Sequence, residues 1–253
     1  MIAPRQAIVT MVGLTASLFL LAHAAPAPAQ SLDGTLKKVK DSGALTLGYR
    51  ESSPPFSFVG ADKRPIGYSI DLECGSTTNS LSRQEQVDFS HMIFVDGSSL
   101  LIKADKVAAM QDLSGKKIAV IPGTTTDPAV RAALQKAFVT AQIVPVKDHR
   151  EGLTMLENGS VDAYASDRTI LIGLGVTAKD PSQFAIAEQY FSYEPYGFML
   201  KRGDAPFRLA VNRVLSSLYR SREVMQVYGR WFGKLGEPSG LLLAMYALHA
   251  LPE

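Results

Sequence analysis

A regular alternation of strand and helix patterns over residues 111–200 constrains the fold of this chain more than any other feature. Short apolar runs at 116–121, 142–146 and 161–165 alternate with segments of helical periodicity such as 151–158. Turns rich in Gly, Pro, Thr and Asp separate these runs. Repeated strand–helix units are typical of a parallel sheet covered by helices, so the sequence predicts an α/β fold.

The beginning of the chain is typical of a secretory signal peptide, which we expect to cover residues 1–29. Arg5 supplies positive charge, an apolar run follows at 7–22, and Ala27-Pro28-Ala29 provides a cleavage site of small residues. A retained membrane anchor is the alternative. A cleaved signal predicts export to the periplasm and a mature chain that begins at Gln30.

The composition argues against several functional classes. The 26 Lys and Arg nearly balance the 24 Asp and Glu, so the formal net charge is +2 and a basic surface for nucleic acid is not expected. Cys74 is the only cysteine, so an intramolecular disulfide is impossible. One Cys with four His argues against a structural zinc site. We therefore expect no metal, no cofactor and no nucleic-acid partner.

The segment 73–83 combines several groups that bind anions. It carries three hydroxyl groups at 76–78, a helix N-cap candidate at Asn79 or Ser80, and Arg83 one turn further on. The N–H groups at a helix start attract anions, and a guanidinium group matches a carboxylate with two hydrogen bonds. The alternative is an ordinary capped helix with a solvated Arg. The segment alone does not decide between these two interpretations. It indicates an anion site only when motifs elsewhere in the chain are considered with it.

Several short motifs occur in an order that resembles the periplasmic solute-binding proteins of amino-acid ABC transporters. The resemblance is closest to the glutamate/aspartate-binding group, of the family 3 type, and it covers nearly all of residues 31–253. The motif at 73–83 is fairly specific to this group, whereas the others are weak alone. The matching stretches lie at 48–57, 67–72, 73–83, 88–90, 113–116, 123–125, 147–149, 165–167 and 196–197.

This resemblance implies a two-lobed periplasmic-binding-protein fold of type II, in which two strands join α/β lobes that close on a ligand. Lobe one would comprise residues 30–104 and 197–253, and lobe two residues 108–194. The connecting strands would lie near 101–106 and 194–200.

The chain departs from the family pattern in lobe one. About 45 residues that the family carries between 67–72 and 73–75 are absent, including the crossover that parallel strands at 45–49 and 70–74 would need. In the family this segment also carries a Ser/Thr-x-x-Arg ligand-binding motif. The resemblance therefore implies a truncated sheet in lobe one, and an in-frame deletion or an assembly error would explain the gap.

An acidic amino acid presents two carboxylates and one ammonium group, so its site needs two donor-rich poles and one acceptor. By resemblance, Arg83 would bind the α-carboxylate, Arg50 the side-chain carboxylate and Asp167 the ammonium group. The candidate ligand-binding residues are Arg50, Ser52, Ser76, Thr77, Thr78, Arg83, Thr124, Thr125, His149 and Asp167.

Each of these assignments has a plainer alternative. Arg50 could form a surface ion pair with Glu51 or Asp71, and Asp167 could serve only as a helix N-cap. The hydroxyls at 124–126 precede a helix that Asp127 alone could cap. His149 could be a neutral histidine in a loop.

The expected function is that of a binding protein that delivers an acidic amino acid to permease subunits in the inner membrane. We expect a monomer without catalytic residues. A decayed or sensor-type paralogue is the main alternative because of the gap, and a periplasmic enzyme on the same fold is a further one.

Overall fold

The computed structural model describes residues 32–72, 76–104 and 110–252. The predicted signal peptide or anchor at 1–29, residues 73–75 with Cys74, and the side chain of Ser76 lie outside the described residues. The helices are α1 (Gly34–Ser42), α2 (Tyr68–Asp71), α3 (Leu81–Gln84), α4 (Thr126–Lys136), α5 (His149–Glu157), α6 (Arg168–Thr177), α7 (Ala205–Ser221), α8 (Glu223–Phe232) and α9 (Gly240–His249). The strands are β1 (Ser52–Ser53), β2 (Ser57–Val59), β3 (Pro65–Ile66), β4 (Ser76–Thr78), β5 (Asp88–Asp96), β6 (Ser98–Lys103), β7 (Lys117–Val120), β8 (Gln142–Pro145), β9 (Ala163–Asp167), β10 (Phe184–Ile186) and β11 (Glu194–Leu200). Short 3-10 helices lie at Met110–Leu113 and Pro181–Gln183.

A five-stranded sheet with the order β10-β6-β9-β7-β8 forms one region of the molecule, which we call the five-stranded region (residues 98–104 and 110–192). Strand β7 pairs in parallel with β8 and β9, whereas β6 pairs antiparallel with β9 and β10. Helices α4, α5 and α6 connect or follow the parallel strands, so the predicted strand–helix alternation is confirmed. Buried aliphatic side chains such as Ile118, Val130 and Leu134 fill the space between this sheet and α4.

Strand β6 is paired along its length within this sheet, and its first residue, Ser98, lies opposite Asp167 of β9. The chain therefore enters the five-stranded region at Gly97. A Cβ at Gly97 would lie 2.5 Å from the carbonyl oxygen of Ser192, so glycine allows the outgoing and returning segments to pass closely.

The second region, which we call the aromatic region (residues 33–72, 76–96 and 194–252), contains two small sheets with the orders β4-β11-β5 and β1-β2-β3. Its core is a cluster of aromatic rings centred on the buried Phe56. The Phe56 ring lies 4.8–6.1 Å from the rings of the cluster members Phe94, Tyr196, Phe232 and Tyr68. Edge and tilted contacts of this kind stabilise a core beyond the area that they bury.

The sequence-based prediction of a strand at 45–49 is wrong, because residues 44–50 form no regular secondary structure. Residues 68–71, considered from the sequence as part of a parallel neighbour of that strand, form the short helix α2. A strand satisfies its backbone groups only through a neighbouring strand, so the strand at 45–49 depends on residues elsewhere in the chain.

The C-terminal helices cover the aromatic region. Helices α7 and α9 pack on β5, and the buried Leu242, Met245 and Tyr246 attach α9 to the core. Helix α9 therefore packs against the body of the molecule. Within the described parts of the chain, the helices are too short or too polar to cross a membrane.

Candidate ligand-binding cleft

A small polar cavity of about 50 Å³ lies between the five-stranded region and the aromatic region. All the predicted candidates except Ser52 and Ser76 line it. Ser52 is not part of the lining, and the side chain of Ser76 lies outside the described residues. The lining residues are Arg50, Ser53, Phe56, Ser57, Thr77, Thr78, Arg83, Thr124, Thr125, Thr126, His149, Ser166, Asp167, Ile170 and Tyr196.

Arg83 reaches the cavity from the single-turn helix α3. Ser80 is the N-cap of this helix, and its hydroxyl accepts a hydrogen bond from the Arg83 backbone N–H at 3.4 Å. The Arg83 Nη1 group donates to the Thr78 carbonyl oxygen at 2.9 Å, which orients the guanidinium group toward β4. Since guanidinium carries five N–H donors, this contact leaves capacity for a carboxylate in the cavity.

Helix α4 begins at the opposite wall of the cavity. Its N-cap is Thr125 and not the predicted Asp127, which lies in the first turn and pairs with Arg131 at 2.6 Å. Thr125 Oγ1 donates to Glu194 Oε2 at 2.8 Å and lies 3.5 Å from Thr78 Oγ1 of the aromatic region. The positive end of an eleven-residue helix therefore adjoins a cavity that also contains Arg83.

Asp167 lies at the end of β9, where it precedes α6 without making a side-chain capping hydrogen bond. Its carboxylate accepts hydrogen bonds from Tyr196 Oη and from Thr126 Oγ1. Burial, with a smaller contribution from the charge of Glu194, raises the pKa of Asp167 to about 6. An ammonium group in the cavity would favour the ionised form of this carboxylate.

His149 is the first residue of α5, which Asp148 caps by accepting from the Glu151 N–H at 2.8 Å. The imidazole is buried, and its Nδ1 lies 2.6 Å from the hydroxyl of Tyr164. Burial, together with the nearby positive charge of Arg50, lowers the pKa of His149 to about 4. His149 is therefore neutral at pH 7 and provides a hydrogen bond to the cavity, not a charge.

Arg50 completes the set of charged groups. The Ser57 hydroxyl accepts from the Arg50 N–H at 2.9 Å and donates to the Arg50 carbonyl oxygen at 2.7 Å, which fixes this backbone position. The alternative pairing with Asp71 is not formed, because that carboxylate binds Arg230 at 2.5 Å. The charge of Arg50 lowers the pKa values of both His149 and Asp167, so its guanidinium group acts on the cavity.

Some lining residues escaped prediction because their orientation depends on tertiary structure. Ser53 lines the cavity in place of Ser52, since neighbouring side chains of a strand point to opposite faces. Phe56 lines the cavity and also packs in the core. Tyr196 belongs to β11. In the sequence, the motif at 196–197 was the one signal that pointed to it.

Comparison with known proteins identifies the family. Residues 68–234 match the bacterial extracellular solute-binding proteins, family 3. The chain belongs to this family. It is 35% identical to an L-glutamate/L-aspartate-binding protein of Pseudomonas aeruginosa, over 87% of this chain and 86% of that protein. It is 29% identical to a glutamate/aspartate import solute-binding protein of Escherichia coli, over 94% of this chain and 91% of that protein.

Among solved structures, the family 3 protein resembles an ancestral amino acid-binding protein described as a precursor of cyclohexadienyl dehydratase. The TM-score is 0.70 at 24% identity, and the match covers 79% of this chain and 100% of that one. The likeness shows the two-lobed type II periplasmic-binding-protein fold.

The alignments with the two relatives are longer than the part of this chain that lies within them. The alignment with the Pseudomonas aeruginosa protein spans 261 positions, but only 87% of the 253 residues of this chain, about 220, lie within it. About 41 positions therefore face no residue of this chain. The alignment with the Escherichia coli protein, of 279 positions and 94% of this chain, leaves about the same number. The shortening of about 45 residues inferred from the motifs agrees with these values.

Proposed function

We propose that this protein is the solute-binding component of an ABC importer and captures glutamate or aspartate in the cavity between its lobes. The single observation that carries this proposal is the placement of Arg50, Arg83 and Asp167 around one cavity. Two cations and one anion complement a ligand that has two carboxylates and one ammonium group. The names of the two relatives support the same class of ligand.

The geometry supports one orientation of the ligand. The α-carboxylate would lie between Arg83 and the N-terminus of α4, where the Thr78 hydroxyl adds a donor. The ammonium group would face Asp167. The side-chain carboxylate would then point toward Arg50, with a hydrogen bond from the neutral His149.

Binding requires the lobes to move. We assign residues up to Asp96 and from Glu194 onward to lobe one, and residues 98–192 to lobe two, so that the two connecting segments meet at Gly97. The cavity of about 50 Å³ is far smaller than the roughly 300–1,000 Å³ of ordinary ligand pockets. The structure thus corresponds to a closed arrangement, and hinge opening would admit the ligand.

We propose that the protein acts in the periplasm as a monomer with permease subunits of the inner membrane. The family membership and the predicted signal peptide support the location and the permease partner. The solute-binding relatives also favour binding over catalysis. We therefore assign the polar groups of the cleft to ligand recognition, although the ancestral protein shows that this fold also gave rise to a dehydratase.

Calorimetric titration of the purified protein with glutamate, aspartate, glutamine and arginine tests this proposal. We expect binding of the two acidic amino acids and weak or undetectable binding of arginine. Arg83→Ala should lower the affinity for glutamate about 10- to 100-fold, since hydrogen bonds to charged groups contribute about 1.5–3 kcal/mol.

Arg64→Ala is the matched control, because Arg64 lies in the β2–β3 turn and its side chain is 83% exposed. It should leave the affinity unchanged. If the folded wild-type protein binds none of the four amino acids, the proposed function is wrong and the protein is a paralogue without this ligand.

A further inference from the structure

A groove of about 470 Å³ adjoins the cavity on the side of the aromatic region. Arg50 and Thr77 line both the cavity and the groove, so these two residues form the boundary between them. The groove is walled mainly by apolar side chains, among them Leu47, Phe198 and Val211. The polar cavity is thus continuous with a larger apolar space.

The groove exists because residues 44–50 pair with no strand in the described part of the chain. Leu47 and Tyr49 are 46% and 42% exposed, and Met199 on the facing strand β11 is 52% exposed. Clustered exposed apolar side chains around a concavity are typical of a binding surface. The groove also lies in the lobe for which we infer the loss of about 41 positions relative to the two relatives.

The charges of the groove define what can bind in it. Arg50 lies at its boundary with the cavity, and Lys201, just beyond β11, also contributes to its lining. An occupant that complements these groups has an oxygen acceptor at the boundary, an apolar body and a negative charge within reach of Lys201.

We propose that the ligand site extends past Arg50 into this groove and accepts γ-glutamyl dipeptides whose second residue is apolar. The inference rests on the proposed function, because the glutamyl part uses the same groups as free glutamate. Its α-carboxylate and ammonium group bind at Arg83 and Asp167, and its γ-amide carbonyl oxygen accepts from Arg50. The apolar side chain of the second residue packs on Leu47 and Val211, and the terminal carboxylate binds Lys201.

Titration with glutamate, γ-glutamyl-leucine and γ-glutamyl-glycine tests this extension on the wild-type protein. We expect γ-glutamyl-leucine to bind at least about tenfold more tightly than γ-glutamyl-glycine, since burying a leucine side chain is worth a factor of this size or more. Binding of glutamate without binding of γ-glutamyl-leucine would overturn the extension and leave the proposed function intact. Absence of binding by glutamate and by both dipeptides would overturn both.

Two variants locate the dipeptide in the groove. Val211→Phe fills the groove and should lower the affinity for γ-glutamyl-leucine about tenfold, with little effect on glutamate. Val214→Phe is the matched control, because it adds the same bulk on the same helix at a side chain that is 49% exposed and outside the groove lining.

Lys201→Gln changes an exposed side chain and is therefore compatible with folding even if Val211→Phe is not. It should lower the affinity for γ-glutamyl-leucine several-fold. The affinity for the form of this dipeptide with a C-terminal carboxamide in place of the carboxylate should not change. Equal effects on both forms, or unchanged binding of γ-glutamyl-leucine in both variants, would place the dipeptide outside the groove and overturn the proposal.

Discussion

The five-stranded region and the aromatic region reach a folded state by different means. In the five-stranded region, five paired strands and three helices follow one another in the regular order of an α/β fold, and aliphatic side chains fill the space between them. In the aromatic region, two three-stranded sheets share a cluster of rings around Phe56 and a cover of C-terminal helices. Where strand–helix units are missing, the packing of large side chains stabilises the region in place of strand pairing.

The two regions also differ in the surfaces that they provide for a ligand. The cleft needs groups from both regions, but the larger apolar groove lies only in the aromatic region, where residues 44–50 are irregular. The region with less regular backbone therefore contains the groove that we propose as an extension of the ligand site, whereas α4, His149 and Asp167 belong to the five-stranded region.

The largest expected effect concerns the aromatic cluster. Phe56→Ala should lower the free energy of unfolding by about 4 kcal/mol, because it removes a fully buried ring and leaves a cavity. Ile118→Val in the core of the five-stranded region should cost only about 1 kcal/mol. Denaturant unfolding measures both. A loss below about 1 kcal/mol for Phe56→Ala would show that the ring cluster does not hold the aromatic region together.

The next effect concerns Asp96, at the end of β5 where the regions meet. Burial, with a contribution from the charge of Asp167, raises the pKa of Asp96 to about 7. Between pH 4 and pH 7 the folded protein therefore keeps a proton that the unfolded chain releases. The contribution of Asp96 to stability is highest at low pH and falls as the pH rises to about 7.

Asp96→Asn removes this titration. The wild type loses this contribution between pH 4 and pH 7, whereas the variant does not. The difference in the free energy of unfolding, variant minus wild type, should therefore increase over this range by on the order of 3 kcal/mol. Asp41→Asn on the exposed surface of α1 is the control and should follow the wild type at every pH. Denaturant unfolding at several pH values gives both curves, and parallel curves for Asp96→Asn and wild type would contradict the expectation.

Substitutions at two glycines in helices test two kinds of contact. Gly152 packs within one region, and Gly173 packs between the two regions. A Cβ at Gly152 would lie 2.5 Å from the Tyr164 ring within the five-stranded region. A Cβ at Gly173 would lie 2.8 Å from the carbonyl oxygen of Pro54 in the aromatic region. Gly152→Ala should lower the free energy of unfolding by about 1–2 kcal/mol, because the clash outweighs the gain of about 1 kcal/mol in helix propensity.

Gly173→Ala should instead leave the unfolding free energy nearly unchanged, since the lobes can separate slightly. It should lower the affinity for glutamate about tenfold, because it hinders closure. Paired denaturation and calorimetry measure the two quantities. The same pattern of effects in both variants would show that the two contacts do not differ as proposed.

The smallest effect is expected on the surface of α4. Arg131→Ala removes an i,i+4 ion pair with Asp127 at 2.6 Å, in which the Arg131 side chain is 58% exposed. Exposed pairs of this kind contribute about 0.3–0.5 kcal/mol, and salt weakens them further. Denaturant unfolding in low and high salt should show a loss of this size that disappears in high salt. A loss above about 1 kcal/mol would mean that Arg131 has a further role in the five-stranded region.

The sequence by itself determined the α/β class, the strand–helix order of residues 111–200 and most of the residues that line the cleft. These features depend on local periodicity, on turn residues and on motifs that keep their spacing along the chain. Arg50, Arg83 and Asp167 could be named because each lies in a short motif of the family.

Only the tertiary structure decided how the shortened lobe is completed. The strand predicted at 45–49 depends on a partner elsewhere in the chain, and its local apolar pattern does not show whether that partner is present. The choice of Ser53 over Ser52, and the neutral state of His149, likewise depend on strand orientation and on burial. Strand pairing, side-chain orientation and the desolvation of a buried group each depend on residues that are distant in the chain and close in space. The local sequence pattern therefore does not determine them.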